Sequence, residues 1–228
     1  MKTPMKQFLR MKSKGVIATG IVLMMTTSLS ASILEIQFTG LDIGYDGTDI
    51  TSLTSPDTLS AMSLFVDGIE VDVLTSDISI DLMIPGVSGL SSVSGAVTTI
   101  DSAVGGTLML AFGGGDFLDL TLDPVLVTYV DVPAVGDFVL GATIGTITGQ
   151  SLPEALIMSD PVAVSFSTNV DSGSTTDDGA GTVTGFTASG TGEVEGEVEV
   201  DPHGIPEPQS LVLGIIAMMS IAFRPRWI

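Results

Sequence analysis

Apolar and polar residues alternate with a period of two along most of the chain between residues 33 and 200. This spacing is typical of a β-strand that buries one face, because successive side chains of a strand point to opposite sides of the sheet. No stretch of this region has the 3.6-residue period of an amphipathic helix. We therefore predict strands, and we expect the core to hold the apolar members of the alternation: Leu34, Ile36, Phe38, Ile69, Val71, Val73, Ile78, Ile80, Leu82, Ile84, Leu118, Leu120, Leu122, Val162, Val164, Phe166, Val194, Val198 and Val200.

Glycine and proline clusters separate these runs and predict the turns between strands. Asp67-Gly68 lies between two apolar runs and is the signature of a tight two-residue hairpin. About ten short strands with one apolar face predict a single antiparallel β-sandwich, jelly-roll-like, for residues 33–200. A β-solenoid is the alternative all-β fold, but the chain lacks the fixed repeat period that a solenoid requires.

Charge is distributed very unevenly along the chain. There are 27 Asp and Glu residues against seven Lys and Arg, for a formal net charge of −20. Between Ser32 and Ile205 there is no Lys or Arg at all, so this region forms no internal Lys or Arg ion pair and repels the phosphates of nucleic acids. Nucleic-acid binding is therefore excluded. The seven basic residues all lie in the two terminal segments: Lys2, Lys6, Arg10, Lys12, Lys14, Arg224 and Arg226.

The polar members of the alternation are largely acidic, so like charges lie opposite one another across neighbouring strands. Each such pair costs about 0.2–1 kcal/mol, and either a salty medium or bound divalent cations would relieve the repulsion. Residues 171–185, with the run on to Gly192, are rich in Gly, Ser and Thr. We interpret this stretch as a long flexible loop between strands. The alternative is a calcium-binding loop that uses Asp171, Asp177 and Asp178, although the spacing does not match an EF-hand.

The N-terminal segment has the order of a secretory signal peptide. Residues 1–14 carry five positive charges and no negative one, and residues 15–27 are apolar or neutral. The apolar run of about 13 residues is shorter than the roughly 20 that a membrane-spanning helix needs. Small residues at Ser28 and Ser30, or at Ser30 and Ser32, predict signal-peptidase cleavage between positions 30 and 32. We therefore predict a signal peptide over residues 1–32.

The C-terminal segment has a second processing pattern. A linker over residues 201–204 leads to Pro206-Glu207-Pro208, an apolar run over residues 210–223 and a basic end with Arg224 and Arg226. The prolines keep the backbone extended and accessible to a protease. As a helix the apolar run would be about 21 Å long, against a hydrocarbon core of about 30 Å. We predict a marginal transmembrane helix that flanking arginines hold on the cytoplasmic side.

The order of Pro206, Glu207 and Pro208, apolar helix and terminal arginines resembles the PEP-CTERM sorting domain of Gram-negative bacteria. The resemblance is confined to residues 205–228, and Pro225 interrupts the basic cluster that is usual in the family. It implies that an integral-membrane exosortase recognises the tripeptide and removes the helix. It also implies an exported protein associated with extracellular polysaccharide, biofilm or floc formation.

Several kinds of catalytic chemistry lack the residues that they need. The chain has no cysteine, and its single histidine, His203, lies in the predicted linker. A Ser-His-Asp triad, a cysteine nucleophile and a Cys- or His-based zinc site are therefore excluded. Two carboxylates alone can hydrolyse a glycosidic bond, and Asp116, Asp119 and Asp123 are the candidates for this. We expect a protein that is not an enzyme.

Taken with its two ends, the composition predicts a secreted or cell-surface matrix protein without a cofactor. Its expected partners are signal peptidase and exosortase during export, transient contact with the inner membrane, and extracellular polysaccharide. The first alternative is a calcium-dependent polysaccharide-binding module, although such modules favour exposed Trp and Tyr. The only tyrosines of this region are Tyr45 and Tyr129, and the only tryptophan, Trp227, lies in the tail. The second alternative is a carboxylate-based glycan hydrolase.

Overall fold

The computed structural model describes residues 31–199. Within this range there are fifteen β-strands, all paired antiparallel, and one 3-10 turn at Pro153–Ala155. The strands are β1 (Ser32–Tyr45), β2 (Ile50–Ser52), β3 (Asp57–Thr58), β4 (Ala61–Val66), β5 (Ile69–Leu74), β6 (Ser79–Ile84), β7 (Val97–Asp101), β8 (Gly106–Gly113), β9 (Asp116–Leu122), β10 (Leu126–Val132), β11 (Gly136–Ser151), β12 (Ile157–Met158), β13 (Val162–Val170), β14 (Thr176–Asp177) and β15 (Val183–Glu199).

Eight of these strands form a sheet that closes on itself. They follow one another in the order β15, β13, β11, β9, β8, β6, β2 and β1, and β1 pairs with β15 from Ser32 to Tyr45. The prediction of an all-β, antiparallel fold is confirmed. The two separate sheets of a jelly-roll-like sandwich are not what the pairing shows, because one continuous sheet forms a closed barrel. An eight-stranded barrel has an interior that side chains can fill.

Two long strands account for the closure, because each changes its partner midway. β1 pairs with β4 over residues 34–39 and with β2 over residues 43–45. β11 pairs with β10 over residues 136–142 and with β9 over residues 145–151. A bulge at residues 39–41 of β1 lies between its two partners, and a bulge at residues 147–149 of β11 lies within its pairing with β9. A bulge bends the strand that carries it. The hairpin of β4 and β5 and the pair of β7 and β10 therefore leave the ring as wings.

The barrel interior contains most of the apolar residues of the predicted alternation. Leu34 and Ile36 are fully buried, and so are the predicted core positions of β6, β9 and β13. Ile69, Val71 and Val73 were also expected in the core, and this expectation is wrong because they are 70%, 45% and 48% exposed. They lie on β5, which pairs only with β4 within the described residues and has no second layer over it. Val200 lies outside the described range.

The hairpin predicted at Asp67-Gly68 is confirmed. It joins β4 to β5 through two residues with φ angles of 52° and 74°, as a type I′ turn requires. The backbone N–H of Ile33 donates to Oδ1 of Asp67 over 2.9 Å, and the backbone N–H of Asp67 donates to the carbonyl of Ile33 over 2.9 Å. These two bonds attach the turn to Ile33 near the start of β1.

The Gly/Ser/Thr-rich stretch differs from the predicted long loop. β14 pairs with β15 within it, and β15 begins at Val183, so residues 183–192 belong to a strand. The small residues allow close approach by neighbours: a Cβ on Gly192 would overlap the ring of Phe38. Aromatic rings in the barrel interior therefore occupy the space that side chains on β15 would otherwise take.

The predicted terminal elements fall outside residues 31–199. These are the signal peptide up to residue 30, the linker over residues 201–204 and the sorting segment with its helix over residues 210–223. Within the described range, no helical segment has the length and the apolar character that a membrane crossing requires.

Candidate functional site

A shallow groove of about 360 Å³ lies on the outer face of the barrel, across β1, β15 and β13. Cross-strand pairing arranges its walls in two rows that lie two residues apart along each strand. The side chains between the two rows point into the barrel, so the floor is backbone. We call this feature the outer groove, and the two rows that line it are Gln37, Glu193 and Ser165, and Thr39, Thr191 and Ser167.

Short hydroxyl side chains and backbone at Gly192 keep the outer groove open. Hydroxyl groups both donate and accept hydrogen bonds, so the lining is suited to an uncharged polyhydroxylated ligand. Phe38 and Phe166 are 2% and 7% exposed, and their rings point to the core rather than into the groove. The groove therefore offers hydrogen bonds to a ligand and little aromatic surface for stacking.

Glu193 is the one charged residue of the outer groove, and its surroundings disfavour its ionised form. Burial raises the pKa of the Glu193 carboxyl above its ordinary 4.5, and the negative charges of Glu35 and Glu195 raise it further. Glu35 lies directly opposite Glu195 in the pairing of β1 with β15. Nε2 of Gln37 donates a hydrogen bond to Oε1 of Glu35. The groove thus has a strongly negative border on one side.

The carboxylates of the three aspartates proposed as calcium ligands each accept hydrogen bonds within the protein. Oδ1 of Asp178 accepts hydrogen bonds from the backbone N–H groups of Ala180 and Thr182 over 2.7 and 3.0 Å, and these bonds lower its pKa. Oδ1 of Asp177 accepts from the backbone N–H of Gly179 over 2.7 Å. These bonds stabilise the turn that precedes β15.

Asp171, the third predicted ligand, is bonded to a different part of β15. Its Oδ2 accepts from the hydroxyl of Thr187 over 2.6 Å. Among residues 31–199, no group of three or more His, Asp or Glu side chains has an arrangement that could hold a metal ion. The geometry thus adds no support for calcium binding, which stays a prediction. The predicted sorting residues Pro206, Glu207, Pro208, Arg224 and Arg226 lie outside the described range.

The three aspartates considered for glycan hydrolysis have unrelated environments. Oδ1 of Asp116 accepts from the hydroxyl of Ser151 over 2.8 Å. Oδ1 of Asp119 is buried, and it has no hydrogen-bond partner among the described residues. Asp123 is exposed beyond the end of β9. Asp119 and Asp123 lie four residues apart along the chain, about 13 Å in an extended strand, which exceeds the roughly 5–9.5 Å between the two carboxyl groups of a glycosidase.

Both tyrosines of the barrel belong to the core. Tyr45 and Tyr129 are 4% and 1% exposed, and their rings lie 5.1 and 5.8 Å from that of Phe186. The hydroxyl of Tyr129 donates to Oδ2 of Asp137 over 2.5 Å. Burial raises the pKa of Tyr129, and the bond to Asp137 raises it further. Neither tyrosine is available to stack on a sugar ring.

Sequence reasoning missed the outer groove. The signal that was present is the run of small polar residues at alternate positions of β13, Ser165 and Ser167, combined with Thr191 and Glu193 on β15. Locating the groove also requires the register that places these strands side by side. Comparison of the chain with known protein families, with curated proteins and with solved structures finds no match.

Proposed function

We propose that this protein is an exported, exosortase-processed and non-catalytic component of the cell surface or extracellular matrix, associated with biofilm or exopolysaccharide. The observation that carries the proposal is the confinement of every Lys and Arg to two hydrophobic terminal segments. Signal peptidase and exosortase would act on those segments during a transient stay at the inner membrane. The acidic region between them would be the mature protein.

The extent of β1 supports one of the two cleavage positions. β1 begins at Ser32, which pairs with Val198 on β15. Cleavage after Ser32 would remove the first paired residue of the strand that closes the barrel. Cleavage after Ser30 would leave β1 whole, so Ser28 and Ser30 are the better candidates for the signal-peptidase site.

Mass spectrometry of the protein recovered from outside the producing cells tests the sorting proposal. We expect a mature C-terminus that lacks residues 224–228, because the enzyme that reads Pro206-Glu207-Pro208 removes the helix and the basic end. The Glu207→Ala variant should retain the tail and remain with the membrane fraction. Asp201→Ala, a carboxylate removed from the linker, is the matched control and should be processed normally. An exported protein that still carries Arg224 to Ile228 would overturn the proposal.

A calcium-dependent polysaccharide-binding module is the alternative, and the hydroxyl-lined outer groove is the observation that favours it. Calorimetry of the exported protein in calcium, magnesium and EDTA at equal ionic strength separates the two proposals. We expect calcium and magnesium to raise the melting temperature equally, because both screen the same acidic surface. A larger rise in calcium that Asp178→Asn abolishes, together with saccharide binding, would support the module instead.

The glycan hydrolase remains the second alternative and needs two carboxyl groups on either side of one glycosidic bond. Turnover of a glycan by the exported protein, lost in Asp119→Asn, would be the result in its favour.

A further inference from the structure

One outer face of the sheet is apolar, in a molecule whose outer surface is otherwise rich in carboxylates. It consists of the outward side chains of β7, β10 and the first part of β11, which the pairing of the three strands places side by side. We call it the apolar face, and its members are Val97, Thr99, Leu126, Thr128, Val130, Phe138, Leu140, Ala142 and Ile144.

The apolar members of this face are open to solvent. Val97 is 65% exposed, Leu126 47%, Leu140 42% and Ile144 51%. The two threonines in its middle form a hydrogen bond with each other, since the hydroxyl oxygens of Thr99 and Thr128 lie 3.1 Å apart. Their hydrogen-bonding capacity is partly used within the face, which makes the face less polar than its composition suggests.

Charge is nearly absent from the apolar face. Asp101, at the outer corner of β7, is the one acidic residue among the outward positions of these strands. The neighbouring strand β13 adds the uncharged Ser165 and Ser167 beside Ala142 and Leu140. By contrast, the outward positions of β1 and β15 carry Glu35, Glu193, Glu195 and Glu197. The net charge is thus concentrated away from the apolar face.

We propose that the apolar face binds a second copy of this chain. Two copies repel each other wherever carboxylate faces carboxylate, because residues 32–205 contain no Lys or Arg to compensate. Pairing one apolar face with another through a two-fold axis removes apolar surface from water. The glutamates of β1 and β15 then lie away from the contact. A cationic partner would instead prefer the glutamates of β1 and β15, and nucleic acid or anionic lipid would be repelled.

The geometry sets the expected strength of the contact. Three strands spaced about 4.8 Å apart, with five to nine residues of about 3.3 Å each, give a face of about 330 Å². This is the size of the largest apolar patches on monomeric proteins, which are often functional. Two such faces bury about 660 Å² in total, at the low end of the size range, where contacts are weak and reversible. Among the described strands β7 pairs only with β10, so the other edge of β7 has no strand beside it and lies at the border of the contact.

The absence of cysteine from the chain allows a direct test of proximity. Single-cysteine variants Val97→Cys, Leu126→Cys and Leu140→Cys are made in the full chain, kept in a non-ionic detergent and mildly oxidised. We expect disulfide-linked dimers from at least one of the three positions. Ile69→Cys on β5 is the matched control, since Ile69 is 70% exposed on the other wing, and it should remain monomeric. Cross-linking through Ile69 alone would overturn the proposal.

Sedimentation of the same full chain gives the second readout. The unmodified protein should associate reversibly with rising concentration, and more strongly in 1 M NaCl, where the Debye length falls to about 3 Å and repulsion between copies is screened. The Leu126→Asp/Leu140→Asp double variant should associate at least tenfold more weakly, whereas Ile69→Asp should behave as the unmodified protein. Association that persists in the double variant would assign the contact to another surface or to the terminal segments. A protein that stays monomeric in 1 M NaCl would also overturn the proposal, whether or not it is exported and processed.

Discussion

Replacing Gly190 by alanine should lower the free energy of unfolding by about 3 kcal/mol, at the upper end of the usual cost of overpacking. Gly190 lies on β15 opposite Leu41 of β1 and Thr168 of β13. A Cβ there would overlap the carbonyl oxygen of Ser167 and lie 2.6 Å from Cα of Thr168. These are backbone atoms, so no rotamer change relieves the overlap. Either β13 or β15 must move, and β15 is the strand through which β1 closes the barrel.

Gly44→Ala is the matched control for this substitution. Gly44 lies on β1, and its added Cβ would meet only Cδ1 of Leu53, at the ordinary contact distance of 3.5 Å. We expect it to change stability by less than about 1 kcal/mol, since alanine is favoured over glycine within a strand. Urea unfolding followed by far-UV circular dichroism measures both variants, with unchanged m-values as the condition for comparison. Equal stabilities of the two variants would contradict the close packing of β13 on β15.

The sequence predicts which residues face inward more reliably than how the strands are arranged. Alternation identifies Leu34, Ile36 and Phe38 as core residues because the pleat of a strand determines the side on which each residue lies. A closed barrel and a sandwich require the same alternation, so the pattern does not distinguish them. The partner exchanges of β1 and β11 distinguish them, and alternation does not reveal where a strand changes its partner.

The failure at β5 has a different cause. Ile69, Val71 and Val73 have the same spacing as the buried runs, but whether a strand's apolar face is covered depends on its position in the sheet. β5 is the last strand of a wing and lacks a covering layer. The sequence also did not predict that β11 exposes apolar residues. Leu140 and Ile144 alternate with the small buried residues Gly141 and Gly145 rather than with large apolar ones, so the pattern did not show which side of the strand faces solvent.

The outer groove was not predicted because it depends on register between strands far apart in sequence. Gln37 and Glu193 become neighbours only when β1 pairs with β15, across more than 150 residues of intervening chain. The distribution of charge, in contrast, could be read directly from the chain. This distribution motivates the export proposal. It also leads us to expect that repulsion among the outward carboxylates of β1 and β15 lowers the stability of the folded protein.

Stability should therefore increase as the pH is lowered from 7 to about 5 at low ionic strength. Glu193 has a folded-state pKa above its ordinary 4.5, so the folded protein holds more protons than the unfolded chain as the pH falls through that raised pKa. For a domain of this size, a gain of about 1 kcal/mol corresponds to a rise of about 3 °C in the melting temperature.

The increase should reverse in stronger acid. Hydrogen bonds from neighbouring backbone and hydroxyl groups lower the pKa of Asp46 and of Asp178 below the ordinary 3.8. Their stabilising contribution is present above pH 3.8 and is lost as the pH falls through the lowered pKa. We therefore expect maximal stability in mild acid, between the range in which Glu193 becomes protonated and the range in which Asp46 and Asp178 do.

Variants among the glutamates of β1 and β15 test this prediction most directly. Glu195→Lys places a cation opposite Glu35 and beside Glu193, and should stabilise the protein at pH 7 by about 1 kcal/mol, the upper range for a cross-strand charge pair. Glu70→Gln on β5 removes a carboxylate outside this cluster and should have a smaller effect. In 1 M NaCl the difference between the two variants should nearly vanish, because screening weakens exposed charge pairs. Two results together would contradict this prediction: a melting temperature that falls steadily from pH 7 to 5, and a Glu195→Lys variant that is no more stable than Glu70→Gln. They would show that repulsion between like charges on β1 and β15 does not limit the stability of this protein.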